Sequence, residues 1–170
     1  MNILIDVVHP AHVHNIKNLY YNLFKHHNIT VVCKSIPLVK KLLNLYQIPY
    51  IEIGEKGENI KEKIIKQINL KKRVSKIIKE KEIDLAIGSS LSVLSSIRIH
   101  SKSILLDEDD QLVQPFTAKF VSPFADCILS PDALSYEHLK NAIYYPGNHE
   151  LAYLHSNVFT PDPNILLKYG

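Results

Sequence analysis

Short apolar runs alternate with segments of helical period along almost the whole chain, and this alternation limits the fold more than any other feature. Residues 3–8 are nearly all apolar, as expected of a strand covered on both faces. From Ala11 the apolar positions Val13, Ile16, Leu19, Tyr20, Leu23 and Phe24 follow helical spacing. Further strand-like runs fall at 29–33, 50–53, 84–87, 103–106, 125–129 and 139–145, the last sharing its start with a short helix end. Helical stretches separate them. One starts at Pro37, a long basic one reaches about Lys81, one opens at Gly88-Ser89-Ser90, and one covers 112–120. Strands alternating with helices make right-handed βαβ units. The predicted fold is therefore α/β: a Rossmann-like, doubly wound, mainly parallel sheet of about seven strands.

A length of 170 residues accommodates one such domain with a sizeable core. The domain is predicted over 1–148. Residues 149–170 contain Pro161 and Pro163 and a short apolar helix start at 165–167. They read as a linker and the beginning of a C-terminal domain missing from the sequence. No apolar run approaches the ~20 residues that span a bilayer. Residues 1–6 carry neither a basic n-region nor a small-residue cleavage site, so a cytoplasmic location is expected. The net charge of +3 is too small to indicate a nucleic-acid partner. Cys33 and Cys127 lie in apolar runs and read as buried free thiols.

In an open parallel sheet, ligands bind beyond the carboxyl ends of the strands. Four polar clusters fall there: 9–15, 88–90, 107–110 and 146–150. Their convergence from distant parts of the chain carries more weight than any single motif. On a helical wheel His12 leans toward the sheet edge, where a neutral imidazole could act as a general base. His14 falls nearly opposite and points outward, and His9 precedes Pro10 in extended conformation. The plain alternative is that these histidines bond to nearby backbone. His9, His12 and His14 beside four acids are metal-ligand types, but half a turn separates His12 from His14 and no metal is expected.

Gly88-Ser89-Ser90 at a helix start offers N–H groups to an anion, or is simply a serine cap. Neither a dinucleotide-binding glycine motif nor a P-loop occurs, and no cofactor is indicated. Asp107, Glu108, Asp109 and Asp110 follow a buried strand directly; some cap the next helix, and Asp107 is placed to orient a histidine or bind sugar hydroxyls. His12, Asp107 and Glu108 are thus the catalytic candidates. His9, His14, Gly88, Ser89, Ser90, Asp109, Asn148, His149 and Glu150 are the substrate-binding candidates.

Residues 59–79 hold eight lysines or arginines and one acid, Glu62. Ile60, Ile64, Ile65, Ile68, Val74, Ile77 and Ile78 read as one apolar stripe. A solvated face on a core-packed helix explains this. The other reading is attraction of Lys61, Lys63, Lys66, Lys71, Lys72 and Arg73 to an anionic membrane or a phosphorylated acceptor.

The run from Ile5 to Leu19, with His9-Pro10-Ala11-His12-Val13-His14 at its centre, resembles the opening of the DUF354 family. Gln47-Ile48-Pro49-Tyr50, Gly88-Ser89-Ser90, Pro123-Phe124-Ala125-Asp126 and the stretch from Tyr145 to His155 are similar to its later landmarks. The resemblance implies kinship with glycosyltransferase-B (GT-B) proteins and UDP-N-acetylglucosamine 2-epimerases, and a second Rossmann-like domain that holds most of a nucleotide-sugar site. Ala11-His12-Val13 resembles the Gly-His-Val loop of MurG-type glycosyltransferases, which implies His12 as the base. The acids from Asp107 stand where hydrolysing epimerases carry His-Val-Glu-Ala-Gly, a departure in sequence.

The leading expectation is the N-terminal, acceptor-side half of a nucleotide-sugar glycosyltransferase of surface or envelope polysaccharide assembly, inactive alone. Its partners would be a nucleotide-sugar, a sugar or lipid-linked acceptor, and a C-terminal domain or a second copy. An epimerase or hydrolase, and a non-catalytic module docking on an anionic membrane or partner, are the alternatives.

Overall fold

The computed structural model describes residues 1–55, 57–107 and 112–169. Seven strands form one sheet: β1 (Asn2–Val7), β2 (Asn28–Lys34), β3 (Tyr50–Gly54), β4 (Leu85–Gly88), β5 (Lys102–Leu106), β6 (Cys127–Pro131) and β7 (Ala142–Tyr145). Their order is β3-β2-β1-β4-β5-β6-β7, and every pairing is parallel. Helices α1 (Pro10–Leu23), α2 (Pro37–Leu45), α3 (Ile60–Glu80), α4 (Ser90–Ser96) and α5 (Pro115–Phe120) make the crossovers. Two short helices follow β7: α6 (Leu151–Leu154) and α7 (Ile165–Tyr169). The fold is the Rossmann-like α/β sheet that the alternation of patterns predicts.

Residue parity along β1 decides which layer each side chain meets, because successive strand residues face opposite sides. Ile3, Ile5 and Val7 pack with Val13, Ile16 and Tyr20 of α1 and with Val39 and Leu43 of α2. Leu4 packs on the other side with Leu70, Val74, Ile77 and Ile78 of α3 and Leu91 of α4. Burying each of these aliphatic side chains contributes about 1.5–3 kcal/mol. Asp6 shares the parity of Leu4 and therefore faces α4. A third cluster, Val93, Leu105, Val121, Ala125 and Ile128, holds the β5–β6 half of the sheet.

Four local expectations change. The helix expected over 112–120 begins only at Pro115, whose fixed φ suits the first helical position, and Leu112 and Val113 form a turn before it. The sixth strand runs Cys127–Pro131, because residues 122–124 are a 3₁₀ turn. No helix end precedes β7; a 3₁₀ segment at Asp132–Glu137 closes with His138 in left-handed conformation. The apolar stripe of α3 divides in two. Leu70, Val74, Ile77 and Ile78 are buried, whereas Ile64, Ile65 and Ile68 are 58%, 59% and 49% exposed. At about 100° per residue the two sets lie roughly 130° apart around the helix, so a single buried face cannot hold both.

The first residues beyond 148 still pack on the sheet domain. Asn18 Nδ2 donates to Ala152 O (2.7 Å), and the rings of His14 and Tyr153 lie 5.4 Å apart. α6 thus rests on α1. Cys33 is buried and Cys127 half-buried, both as free thiols. Burial, with Glu52 nearby, pushes the Cys33 thiol up to about 11, which keeps it protonated and inert at neutral pH.

Two carboxylates tie the sheet edges to their surroundings. Glu52 accepts from Lys40 Nζ at 3.0 Å, and hydrogen bonds from Ser35 and Lys40 hold it below the usual range. Asp126 is pushed up by partial burial, but hydrogen bonds from Lys102 and Ser103 outweigh that and leave it lowered. Both fold with depressed values, so the stability they contribute is present above the unfolded range near pH 4. It is lost as the pH falls through their folded values. Urea unfolding between pH 7 and 2 should show a flat midpoint down to about pH 4 and a fall below it. Glu52→Gln combined with Asp126→Asn should flatten that fall. An acid limb as steep as the parent's would show that these carboxylates are not its source.

Candidate functional site

A cleft of about 500 Å³ opens at the carboxyl ends of β1, β4 and β5. The sheet order reverses direction between β1 and β4, so this is the topological switch point where open α/β sheets bind ligands. His9, His12, Gly88, Ser89, Ser90 and Asp107 all line it, brought together from three separate loops.

α1 starts with Pro10 at its first position and His9 as its cap. The His9 Nδ1 accepts from the Ala11 N–H at 3.3 Å, so this ring spends one nitrogen on the helix end. His12 lies one turn further in, its ring centroid 5.9 Å from that of His9. His14 is placed elsewhere. Its Nδ1 meets the Tyr46 hydroxyl at 3.1 Å, and its ring packs against Tyr46 and Tyr153, outside the cleft. The half-turn between positions 12 and 14 sends one histidine to the sheet edge and the other to a tyrosine cluster. Among the described residues, no group of three or more His, Cys, Asp or Glu is arranged to hold a metal ion.

The Gly88-Ser89-Ser90 turn is built around a group that the sequence reading passed over. Asp6 is 1% exposed. Its Oδ1 accepts from the Ser89 N–H at 2.9 Å, and its Oδ2 from the Ser89 hydroxyl at 3.0 Å and the Ser92 N–H at 2.8 Å. The protein's own carboxylate therefore takes the N-terminal donors of α4 that an external anion would use. Ser89 Oγ caps Leu91 N at 3.2 Å, as a serine cap should. Gly88 permits the approach: its φ is +144°, and a Cβ there would stand 2.6 Å from Asp6 Oδ1. What could have exposed Asp6 is its place as a charge inside a buried strand, at the parity that meets α4.

Asp107 follows β5. Its N–H donates to Leu129 O at 2.9 Å, and its Oδ2 accepts from Ser130 Oγ at 2.9 Å. β6 thus fixes the carboxylate at the cleft wall. Glu108 and Asp109, the companions expected here, lie outside the described residues, as does Asp110. Lys34, at the end of β2, brings a cation to the cleft, and Asn15, Gln67, Gln114 and Thr117 add neutral polar groups. Of these, Asn15 falls in the histidine cluster; the others carry no sequence signal, because only the fold brings their elements to this edge.

Asn148 and His149 line a second, mainly apolar groove of about 310 Å³ between α1 and α6. It shares Asn15, Ile16 and Leu106 with the first. His149 Nδ1 meets the Tyr145 hydroxyl at 2.7 Å, and Glu150 is exposed beside α6, outside both spaces. The Pro146-Gly147 turn closes on α6 because Gly147 has φ +107° and leaves room for Leu151. No helix among the described residues is long and apolar enough to cross a membrane.

A seven-stranded parallel sheet with a polar cleft at its switch point is the Rossmann-like architecture of GT-B-type proteins. The chain belongs to the DUF354 family, described as a protein family of unknown function, whose model matches residues 1–170. A search of curated protein sequences finds no match. Among solved structures, the chain is similar to Staphylococcus aureus MnaA with UDP, at TM-score 0.73 and 14% identity, covering 99% of this chain and 51% of that one. It is similar to UDP-GlcNAc 2-epimerase from Methanocaldococcus jannaschii, at 0.71 and 10%, covering 99% and 52%. It is also similar to Anabaena HepE in complex with UDP-glucose, at 0.62 and 14%, covering 99% and 48%. These likenesses define the fold. The chain spans about half the length of the structures it matches.

Proposed function

We propose that this chain forms the acceptor-side wall of a nucleotide-sugar site in a glycosyltransferase that assembles surface or envelope polysaccharide in the cytoplasm. The observation that carries this reading is the convergence of His12 and Asp107 on one cleft at the switch point. His12 takes the proton from an acceptor hydroxyl as that oxygen attacks the anomeric carbon, whose bond to the phosphate oxygen breaks and releases the nucleoside diphosphate with the electron pair. Asp107, fixed by Ser130, orients the acceptor or the imidazolium that forms. His9, Ser90 and Lys34 bound the space where the sugar and its phosphate groups lie. A second α/β domain, or a second copy of the chain, supplies the opposite wall, and the half-length coverage of the UDP-bound structures supports that arrangement.

An alternative is an epimerase or hydrolase acting on the nucleotide-sugar itself, supported by the 2-epimerases among the structural neighbours. The two separate on one assay. UDP-N-acetylglucosamine is incubated with the protein carrying both domains, with and without a saccharide acceptor, and products are followed by NMR. Transfer that requires acceptor is the expected result. Epimer or free sugar formed without acceptor would replace the transferase reading by the alternative.

A further inference from the structure

The groove between α1 and α6 takes no part in the chemistry assigned to the cleft, yet it opens from the cleft's end. Leu106 of β5 and Leu129 of β6, paired in the sheet register, line it together with Ile16 and Leu19 of α1 and Leu151 of α6. From His12 the groove follows α1 outward. Asn15 and Ile16 lie one turn on and Leu19 a further turn, about 10 Å in all. The two spaces meet at Asn15, Ile16 and Leu106. A molecule that places one end at His12 therefore has its next unit over this groove.

Charge and surface chemistry select the occupant. The cleft carries Lys34, Asp6 and Asp107, whereas no Asp, Glu, Lys or Arg is among the described residues that line the groove. A charged group seated there would lose water and meet no counterion, which is costly. The groove is not purely apolar either. Two amides, Asn15 and Asn148, and the Tyr145–His149 pair, joined at 2.7 Å, are part of the lining. An alkyl chain would cover these polar groups and offer them no hydrogen bond. A pyranose ring suits both kinds of surface: the C–H groups of its faces meet the leucines, and its hydroxyls meet amides that both donate and accept. The volume of about 310 Å³ stands at the small end of ligand pockets, room for one ring rather than an extended chain. We propose that this groove seats a neutral sugar ring, the unit behind the one whose hydroxyl reaches His12, so that the acceptor is an oligosaccharide of at least two units. The role of that ring as an acceptor unit rests on the transferase reading; the binding of a neutral sugar in the groove does not.

The test is amide NMR titration of the 170-residue chain with cellobiose, lactose and chitobiose, and with glucose and N-acetylglucosamine. The disaccharides are expected to shift the amides of Asn15, Asn148 and Ala152 and to bind about ten-fold more tightly than the monosaccharides. Ala152→Phe fills the groove from an exposed position and keeps the backbone carbonyl that Asn18 holds, so it should remove that advantage without lowering the melting temperature. Asn148→Ala, also exposed, should reduce the advantage without filling the space. In the protein carrying both domains, Ala152→Phe should raise KM for a disaccharide acceptor about ten-fold, to the level of the monosaccharide. Groove amides that no disaccharide shifts, or shifts that neither variant alters, overturn the proposal, as does a response to octanol in place of the sugars. Sugar bound in the groove of a protein that transfers none would keep the site and remove the transferase reading. Transfer with one KM for acceptors of one and two units would keep that reading and overturn the acceptor role of the groove.

Discussion

Asp6→Ala should lower the unfolding free energy by about 3–5 kcal/mol, because it leaves one buried and two half-buried donors facing an empty space. For a chain of this size that is a fall in melting temperature of roughly 10 °C. The donors are the N–H and hydroxyl of Ser89 and the N–H of Ser92, each within 3.0 Å of the carboxylate. They lie at a helix start, where the positive end of the dipole already favours a negative group. Asp6→Asn should cost less, since one amide oxygen still accepts while the amide nitrogen opposes a donor. Gly88→Ala attacks the same arrangement from the other side. Its Cβ would meet Asp6 Oδ1 at 2.6 Å, and alanine tolerates φ +144° poorly. All three variants should be compared by thermal unfolding with Glu80→Ala, an exposed acid on α3. If Asp6→Ala costs no more than Glu80→Ala, the carboxylate does not hold β1 to α4.

This buried carboxylate shows where reading the sequence stops. The strands were legible because a parallel sheet covered on both faces demands apolar runs, and each run from β1 to β7 stands out against polar loops. The separation of His12 from His14 was legible because helix geometry alone fixes it. Asp6 was not, because one acid barely lowers the apolar character of residues 3–8, and its partners lie more than eighty residues away. The α3 stripe was misread for a related reason. The wheel counts Ile64 and Ile78 alike, but whether a face is covered depends on where α4 begins. Lys34 and Gln67 became site residues only when β2 and α3 were placed at the same edge of the sheet.

His12→Ala should lower the rate of sugar transfer by about 10²–10⁴, the range general-base catalysis supplies. The apparent affinity for the nucleotide-sugar should change much less than the rate, since a general base acts on the acceptor proton in the transition state and not on the bound donor. His14→Ala is the control that makes this result informative. Both histidines sit on α1 two residues apart and are partly buried, but His14 spends its ring on Tyr46 and Tyr153 instead of the cleft. Its replacement should leave the rate near that of the parent. His9→Ala should fall between them, because His9 lines the cleft and also caps α1, a cap worth about 1 kcal/mol. Its effect should therefore appear in melting temperature as well as rate, whereas that of His12→Ala should appear in rate alone. Asp107→Asn separates orientation from charge: it keeps an oxygen for Ser130 but removes the negative charge from the cleft that His12 also lines. A loss confined to kcat would place Asp107 with His12 in the reacting state. Should His12→Ala retain a rate within ten-fold of the parent while His14→Ala does not, the base assignment is wrong, and the tyrosine cluster becomes the surface to examine.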